Sequence, residues 1–167
     1  MADSDFVRSL GLAFLAHRLR RASETILEGT SGFLAASGSA APARSISTLL
    51  LLRRIGPAGV TAIAQRLRLS HPLIIKLTSA LIAAGYAEQR ADPTDNRRRL
   101  IALTPAGEAE VERLEHLLGA VERMLRALFE ETGVDLFDAI ERFETATDAV
   151  PVGARLERIM TAEGEQA

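Results

Sequence analysis

Between Asp92 and Gly107 the chain reads DPTDNRRRLIALTPAG, a stretch whose residue types suit an anion-binding tip joined to a helix start. Asp92-Pro93 opens a bend, Asp95 and Asn96 tolerate the tight backbone of a hairpin tip, and Arg97, Arg98 and Arg99 follow in a row. Adjacent arginines are ordinarily a solvated surface, but on a hairpin tip they are candidates for nucleic-acid contact. Leu100, Ile101 and Leu103 then favour a strand. At Thr104-Pro105 a hydroxyl can cap a helix whose first position tolerates the missing N–H of proline.

The elements that must position this tip lie just before it. Gly59-Val60-Thr61 leads into a helix in which Ile63, Ala64, Leu67 and Leu69 recur at helical spacing, with Thr61 as its cap. Ser70-His71-Pro72 starts a second helix that runs through Ile74, Leu77, Leu81 and Ile82 to Gly85. Two short helices joined by a tight turn form a candidate helix-turn-helix. Residues 86–90 read as a strand that pairs with 100–103 across the arginine-bearing turn, which makes the unit a winged helix-turn-helix. The outer face of the second helix offers His71, Pro72, Leu73, Ile75, Lys76 and Ser79, with one of the two aliphatics expected to turn inward. It carries no Arg, Asn or Gln to read base edges in bidentate fashion. Direct readout therefore rests on Lys76, His71 and apolar contact with thymine methyls.

The flanks are helical. From Asp5 to about Leu34, Phe6, Leu10, Phe14, Leu19, Ile26 and Phe33 lie near one stripe, with Gly29 and Gly32 as expected interruptions. The segment ASGSAAPARS is small and flexible in type, and Pro42 suits a helix start. Ile46, Leu49, Leu50, Leu51, Leu52 and Ile55 are apolar on nearly every side, as in a buried helix that Gly56 ends. From Pro105 to about Thr132 a long helix carries Val111, Leu114, Leu118, Val121, Leu125 and Phe129, a stripe longer than a small winged domain can cover. A further helix opening near Asp135 is expected to pack back on it until Pro151. A short piece around Leu156, Ile159 and Met160 then precedes a polar end expected to be disordered.

Composition bounds the chemistry. The 167 residues carry a net charge of −2, distributed unevenly. Residues 1–59 hold seven Arg against four acids, residues 60–104 seven Lys and Arg against three, and residues 105–167 six Arg against fifteen. A basic centre with an acidic tail suits a phosphate-binding middle that orients the molecule on DNA. The absence of cysteine excludes disulfides, thiolate metal sites and thiol redox sensing, and His17, His71 and His116 are too scattered for a histidine metal site. No catalytic constellation, cofactor or metal site emerges. No apolar run is long enough to span a bilayer, and MADSDFVRSL lacks the order of a signal peptide, so a cytoplasmic protein is expected.

The wing segment resembles that of the MarR family of bacterial transcription regulators, whose pattern is Asp-Pro-x-Asp-x-Arg, a short strand, then Leu-Thr-Pro-x-Gly. Asp92, Pro93, Asp95, Arg97, Leu103, Thr104, Pro105 and Gly107 fall on it, whereas Thr94 and Asn96 stand where members often carry charge. The middle is similar too, through Val-Thr-x-Ile-Ala-Gln-x-Leu at 60–67, Leu69-Ser70 and Leu-x-x-x-Gly-Tyr at 81–86. The resemblance implies a mainly α fold: a winged helix-turn-helix DNA-binding domain at 42–104 with a two-stranded wing, and dimerisation helices at 1–36 and 105–162. It implies a homodimer through residues such as Phe14, Leu114, Leu118, Val121, Leu125 and Phe129, bound to a pseudo-palindromic operator in double-stranded DNA. Repression would be relieved by a small, largely apolar effector between the two lobes. Thr61, Ser70, His71, Pro72 and Lys76 would lie in or beside the major groove, and Arg97 would enter the minor groove with Asp95 orienting it. Two other classes compete. Arg53-Arg54-Ile55-Gly56-Pro57-Ala58 fits the loose Arg-x-x-Gly-x-Ala loop of acetyltransferases, with ISTLLLL as the strand before it. The poor recognition helix also fits a helical dimer with a degenerate winged domain that binds protein.

Overall fold

Leu49, Leu52, Ile63, Ile74, Leu81, Ile101 and Leu114 are buried together, and the local pattern of each segment follows from which of its residues join this cluster. The computed structural model describes residues 5–95 and 97–164; Asn96 of the hairpin tip and the ends of the chain lie outside the described residues. The chain folds as two compact units, Met1–Val121 and Glu122–Ala167. That boundary falls inside a helix rather than at its start.

In the first unit, α1 (Phe6–Ser9) is capped by Asp5, whose carboxylate accepts from the Val7 and Arg8 amides and also holds Arg21. A 3₁₀ turn and α2 (Leu15–Ala36) follow. The break falls at Gly11, which takes a left-handed φ of 74°, while the expected interrupters Gly29 and Gly32 remain helical. Pro42 leads into a 3₁₀ turn that continues as α3 (Ile46–Ile55), whose Ile46, Leu49 and Leu52 are buried. The ISTLLLL run is therefore helical, and the strand that an acetyltransferase loop requires is replaced by α3.

The helix-turn-helix consists of α4 (Val60–Leu67) and α5 (His71–Ala83). Gly59, in extended conformation, caps α4; Thr61 lies inside its first turn and is not the cap. Arg68 closes α4 with a left-handed φ of 54°, a conformation that gives the tight turn but is unusual for a side chain with a Cβ. Ser70 takes the cap position of α5, where proline sits in the first turn. The wing is the antiparallel pair β1 (Ala87–Ala91) and β2 (Arg99–Leu103), in register Ala87↔Leu103 to Ala91↔Arg99. Ala58 adds a bridge to Ile101 through paired backbone hydrogen bonds of 3.0 and 2.9 Å, which fixes the wing base to the segment between α3 and α4.

The helix α6 (Pro105–Thr132) starts as its sequence suggests. The Thr104 hydroxyl donates to Gly85 O and accepts from Gly107 N, so one side chain joins the end of the α5 segment to the start of α6. Val111 and Leu114 enter the core, with Leu117 and Leu118 packed partly against it. Burying one such leucine contributes about 1.5–3 kcal/mol. The surface pair Arg53–Glu108 also touches α6, but exposed ion pairs contribute about 1 kcal/mol at most, so burial decides the helix position.

In the second unit, Gly133 ends α6 with a φ of 67° and the Asp135 carboxylate caps α7 (Leu136–Ala149) through the Asp138 amide. The helix α8 (Val152–Gly164) is longer than the short piece expected, and the Arg155 guanidinium ties it to α7 through Val150 O and Ala146 O. Of the apolar residues Leu136, Ile140 and Phe143 expected to pack on α6, Leu136 is half-buried, while Ile140 and Phe143 remain exposed, as does Phe137. No helix among the described residues is long and apolar enough to cross a membrane.

Candidate nucleic-acid interface

Helical periodicity divides α5 cleanly. Ile74, Leu77, Thr78 and Leu81 face the core, and the Thr78 hydroxyl is satisfied within the helix by Ile74 O at 2.9 Å. His71, Pro72, Leu73, Ile75, Lys76 and Ser79 are all exposed. Leu73 is 38% and Ile75 47% exposed, which corrects the expectation that one of them is core. Both aliphatics stand on the outer face because Ile74 between them already fills the inward position.

The wing tip is organised by two carboxylates. Asp92 Oδ1 accepts from both the Thr94 amide and the Thr94 hydroxyl, at 2.8 and 2.7 Å. That hydroxyl bond, more than any other influence, holds the Asp92 carboxyl below its ordinary pKa. Asp95 N donates to Asp92 O and Arg98 N to Asp95 O, closing the turn. Asp95 also accepts from Arg97, but from its backbone N–H, and its ion-pair partner is the Arg98 guanidinium at 3.4 Å. The expected role of Asp95 is thus corrected: it shapes the backbone at Arg97 and pairs with Arg98. Among the described residues Arg97 and Arg99 have no ion-pair partner. Arg98 belongs to the turn, not the strand, which begins at Arg99. A concavity between the start of α4 and the wing base brings Thr61 and Gln65 beside Arg98 and Arg99.

The expected dimerisation residues separate into two groups. Leu114 is fully buried in its own unit's core and cannot belong to a contact surface, a correction that follows from α6 beginning inside the core. Phe14 is exposed, and Leu118, Val121, Leu125 and Phe129 are half-buried.

A second feature had no signal in the sequence. A cavity of about 600 Å³ opens between α2, the segment before α3 and α5, with Leu27, Glu28 and Ala35 on one side, Pro42 and Arg44 on another, and Lys76 from α5. Arg44 lies in the stretch whose small residues suggested only a linker. Nearby, buried Glu110 accepts from the Ser39 hydroxyl and stands 3.5 Å from Arg113, which ties that same stretch to α6.

An exposed outer face on the second helix of a helix-turn-helix, next to a two-stranded wing whose Arg97 and Arg99 have no ion-pair partner among the described residues, defines a winged-helix protein with a basic wing. No family model matches the sequence, and no curated protein matches it. Solved structures do. The transcriptional repressor CouR bound to a 23-mer DNA duplex is similar at 27% identity and a TM-score of 0.60, over 80% of this chain and 92% of that one. PcaV, a transcriptional regulator from Streptomyces coelicolor in complex with its natural ligand, matches at 24% identity and a TM-score of 0.62, over 88% and 99%. A MarR mutant from E. coli complexed with operator DNA matches at 16% identity and a TM-score of 0.64, over 89% and 100%. In fold, the chain is similar to these MarR-family transcriptional regulators.

Proposed function

We propose that the chain is a homodimeric, DNA-binding transcriptional repressor released by a small ligand. The observation that carries this reading is the joint exposure, on one unit, of the outer α5 face and of Arg97 and Arg99, which have no ion-pair partner among the described residues. In this reading α5 enters the major groove, where Lys76 and His71 supply polar contacts and Leu73 and Ile75 meet thymine methyls. Pro72 and Ser79 shape the same face, and Thr61 and Ser70 lie beside the backbone. Arg97 enters the adjacent minor groove, while Arg98 and Arg99 follow phosphates. Affinity then rests mainly on charge, and specificity on groove shape more than on base-edge hydrogen bonds. A second subunit, docked through exposed apolar residues of the N-terminal and C-terminal helices, would set two recognition helices about 34 Å apart, as a pseudo-palindrome requires. The cavity beside α5 is the place for the effector, and its volume is within the usual roughly 300–1,000 Å³ of small-molecule sites.

The test is fluorescence anisotropy with duplexes from the DNA flanking the gene, at two salt concentrations. A DNA-binding regulator gives tight binding to at least one duplex and a steep loss of affinity with salt. Binding that is absent or insensitive to salt would favour instead a helical dimer whose winged domain docks on protein.

A further inference from the structure

Of the 20 Lys and Arg residues in the chain, Lys76 alone is lysine. It is also the only permanently charged residue among the 13 of α5. Its side chain is exposed on the outer face, and among the described residues it has no ion-pair partner. The two cation types differ in the chemistry open to them. A guanidinium holds its proton at every physiological pH and does not attack carbonyl carbon, whereas a lysine ammonium yields a small neutral fraction whose amine is a nucleophile. The wing cations Arg97, Arg98 and Arg99 are therefore inert to acyl donors, and all side-chain amine chemistry of the chain converges on one atom of the recognition helix.

Resting on the regulator reading above, we propose that Lys76 is a modification site, acylated by an activated acyl donor of the acyl phosphate or acyl thioester class. The Nζ lone pair attacks the carbonyl carbon and an N–C bond forms. The bond from that carbon to the phosphate oxygen or thiolate sulfur breaks, the leaving group takes the electron pair, and the Nζ proton passes to solvent. The amide product is neutral and no longer holds a phosphate by charge. Helix α5 is then without permanent charge, while the wing keeps its three arginines. Binding is lowered by one phosphate contact instead of being abolished, so the recognition helix is adjusted separately from the wing. A bound duplex covers Nζ in turn and protects it from the donor.

The experiment treats the full-length chain with acetyl phosphate in one arm and acetyl-coenzyme A in the other. Peptide mass mapping separates Lys76 from the α-amino group, and anisotropy follows the duplex identified above. Acetylation of Lys76 is expected in at least one arm, and the arm that reacts names the donor class. The acetylated chain should bind the duplex about tenfold more weakly, a typical magnitude for one charge-assisted contact, with a salt slope lower by about one. Removal of the acetyl group by a lysine deacetylase should restore the affinity, and duplex added beforehand should slow acetylation of Lys76. Lys76→Arg, compared with its own untreated state, should lose no affinity on treatment. Lys76 left unmodified in both arms while a lysine-containing reference peptide reacts overturns the proposal. So does acetylation that leaves duplex affinity unchanged, or an equal loss by treated Lys76→Arg, with DNA binding by the untreated chain intact in each case. Absence of salt-dependent duplex binding by untreated wild type overturns the regulator reading and the switch with it.

Discussion

The Asp95 carboxylate accepts a hydrogen bond from the backbone N–H of Arg97 at 3.0 Å, while its other oxygen stands 3.4 Å from the Arg98 guanidinium. The tip backbone is thereby set without using the Arg97 side chain, which is left free to reach outward. Arg97→Ala should cost about 1–3 kcal/mol of duplex binding and move thermal stability by no more than about 0.5 kcal/mol. Anisotropy and calorimetry on one preparation check both halves. Unchanged affinity at physiological salt would mean that the wing does not probe the minor groove. Asp95→Ala should weaken binding as well, through a loosened turn.

Gly107 is needed for close packing. A Cβ built there would lie 2.0 Å from Tyr86 O, a backbone atom that cannot move aside without shifting the start of β1. Gly107→Ala should destabilise the chain by roughly 1–3 kcal/mol or more, as overpacking does. Urea titration of the variant against wild type reads this directly, and an unchanged midpoint would refute it.

The proposed dimer would cover exposed and half-buried apolar residues. Phe14 lies on the N-terminal segment, and Leu125 and Phe129 on the second half of α6, with Phe137 and Phe143 exposed on α7. Leu125→Glu combined with Phe129→Glu should yield a folded monomer with greatly reduced operator affinity, because one subunit engages one half-site. Sedimentation of wild type must first give a dimer; a wild-type monomer ends the proposal. Leu114→Glu serves as contrast, since it places a charge in the core and should abolish folding itself.

The Asp5 carboxylate, hydrogen-bonded by the Arg21 guanidinium and the Val7 and Arg8 amides, is pulled from 3.8 down to about 2. A folded-state value below the unfolded one means that its stabilisation is complete above about pH 4 and disappears as pH falls through about 2. Local order of α1 should therefore fall over that interval, and Asp5→Asn should flatten the dependence. Proton-titrated NMR of the Val7 and Arg8 amides is the appropriate measurement.

Much of the local structure was legible because it depends on short-range chemistry. Thr104-Pro105-x-Gly107 started α6, Asp135 capped α7, and Gly56, Gly85 and Gly133 closed helical segments with positive φ. The α4–α5 pair and the wing followed from apolar spacing that changes period at Tyr86. Where nearby signals competed, boundaries shifted: Gly11 broke the first helix, while Gly29 and Gly32 were carried through it.

What the sequence determined by itself was the order and type of the elements, the basic tip and the absence of thiol chemistry, since these depend on residue identity and on neighbours a few positions away. The tertiary structure decided which surface each apolar or charged residue serves. Leu114 lies inside and Phe143 outside, although both sit on helical stripes of similar pattern. Arg44 and Lys76, 32 positions apart, come to line one cavity, and Ser39 meets Glu110 across 71 positions. Periodicity tells which residues share a face, but what covers that face depends on chain segments distant in sequence. Helix α2, α5 and the segment before α3 had to be brought together before the cavity and its two cations existed.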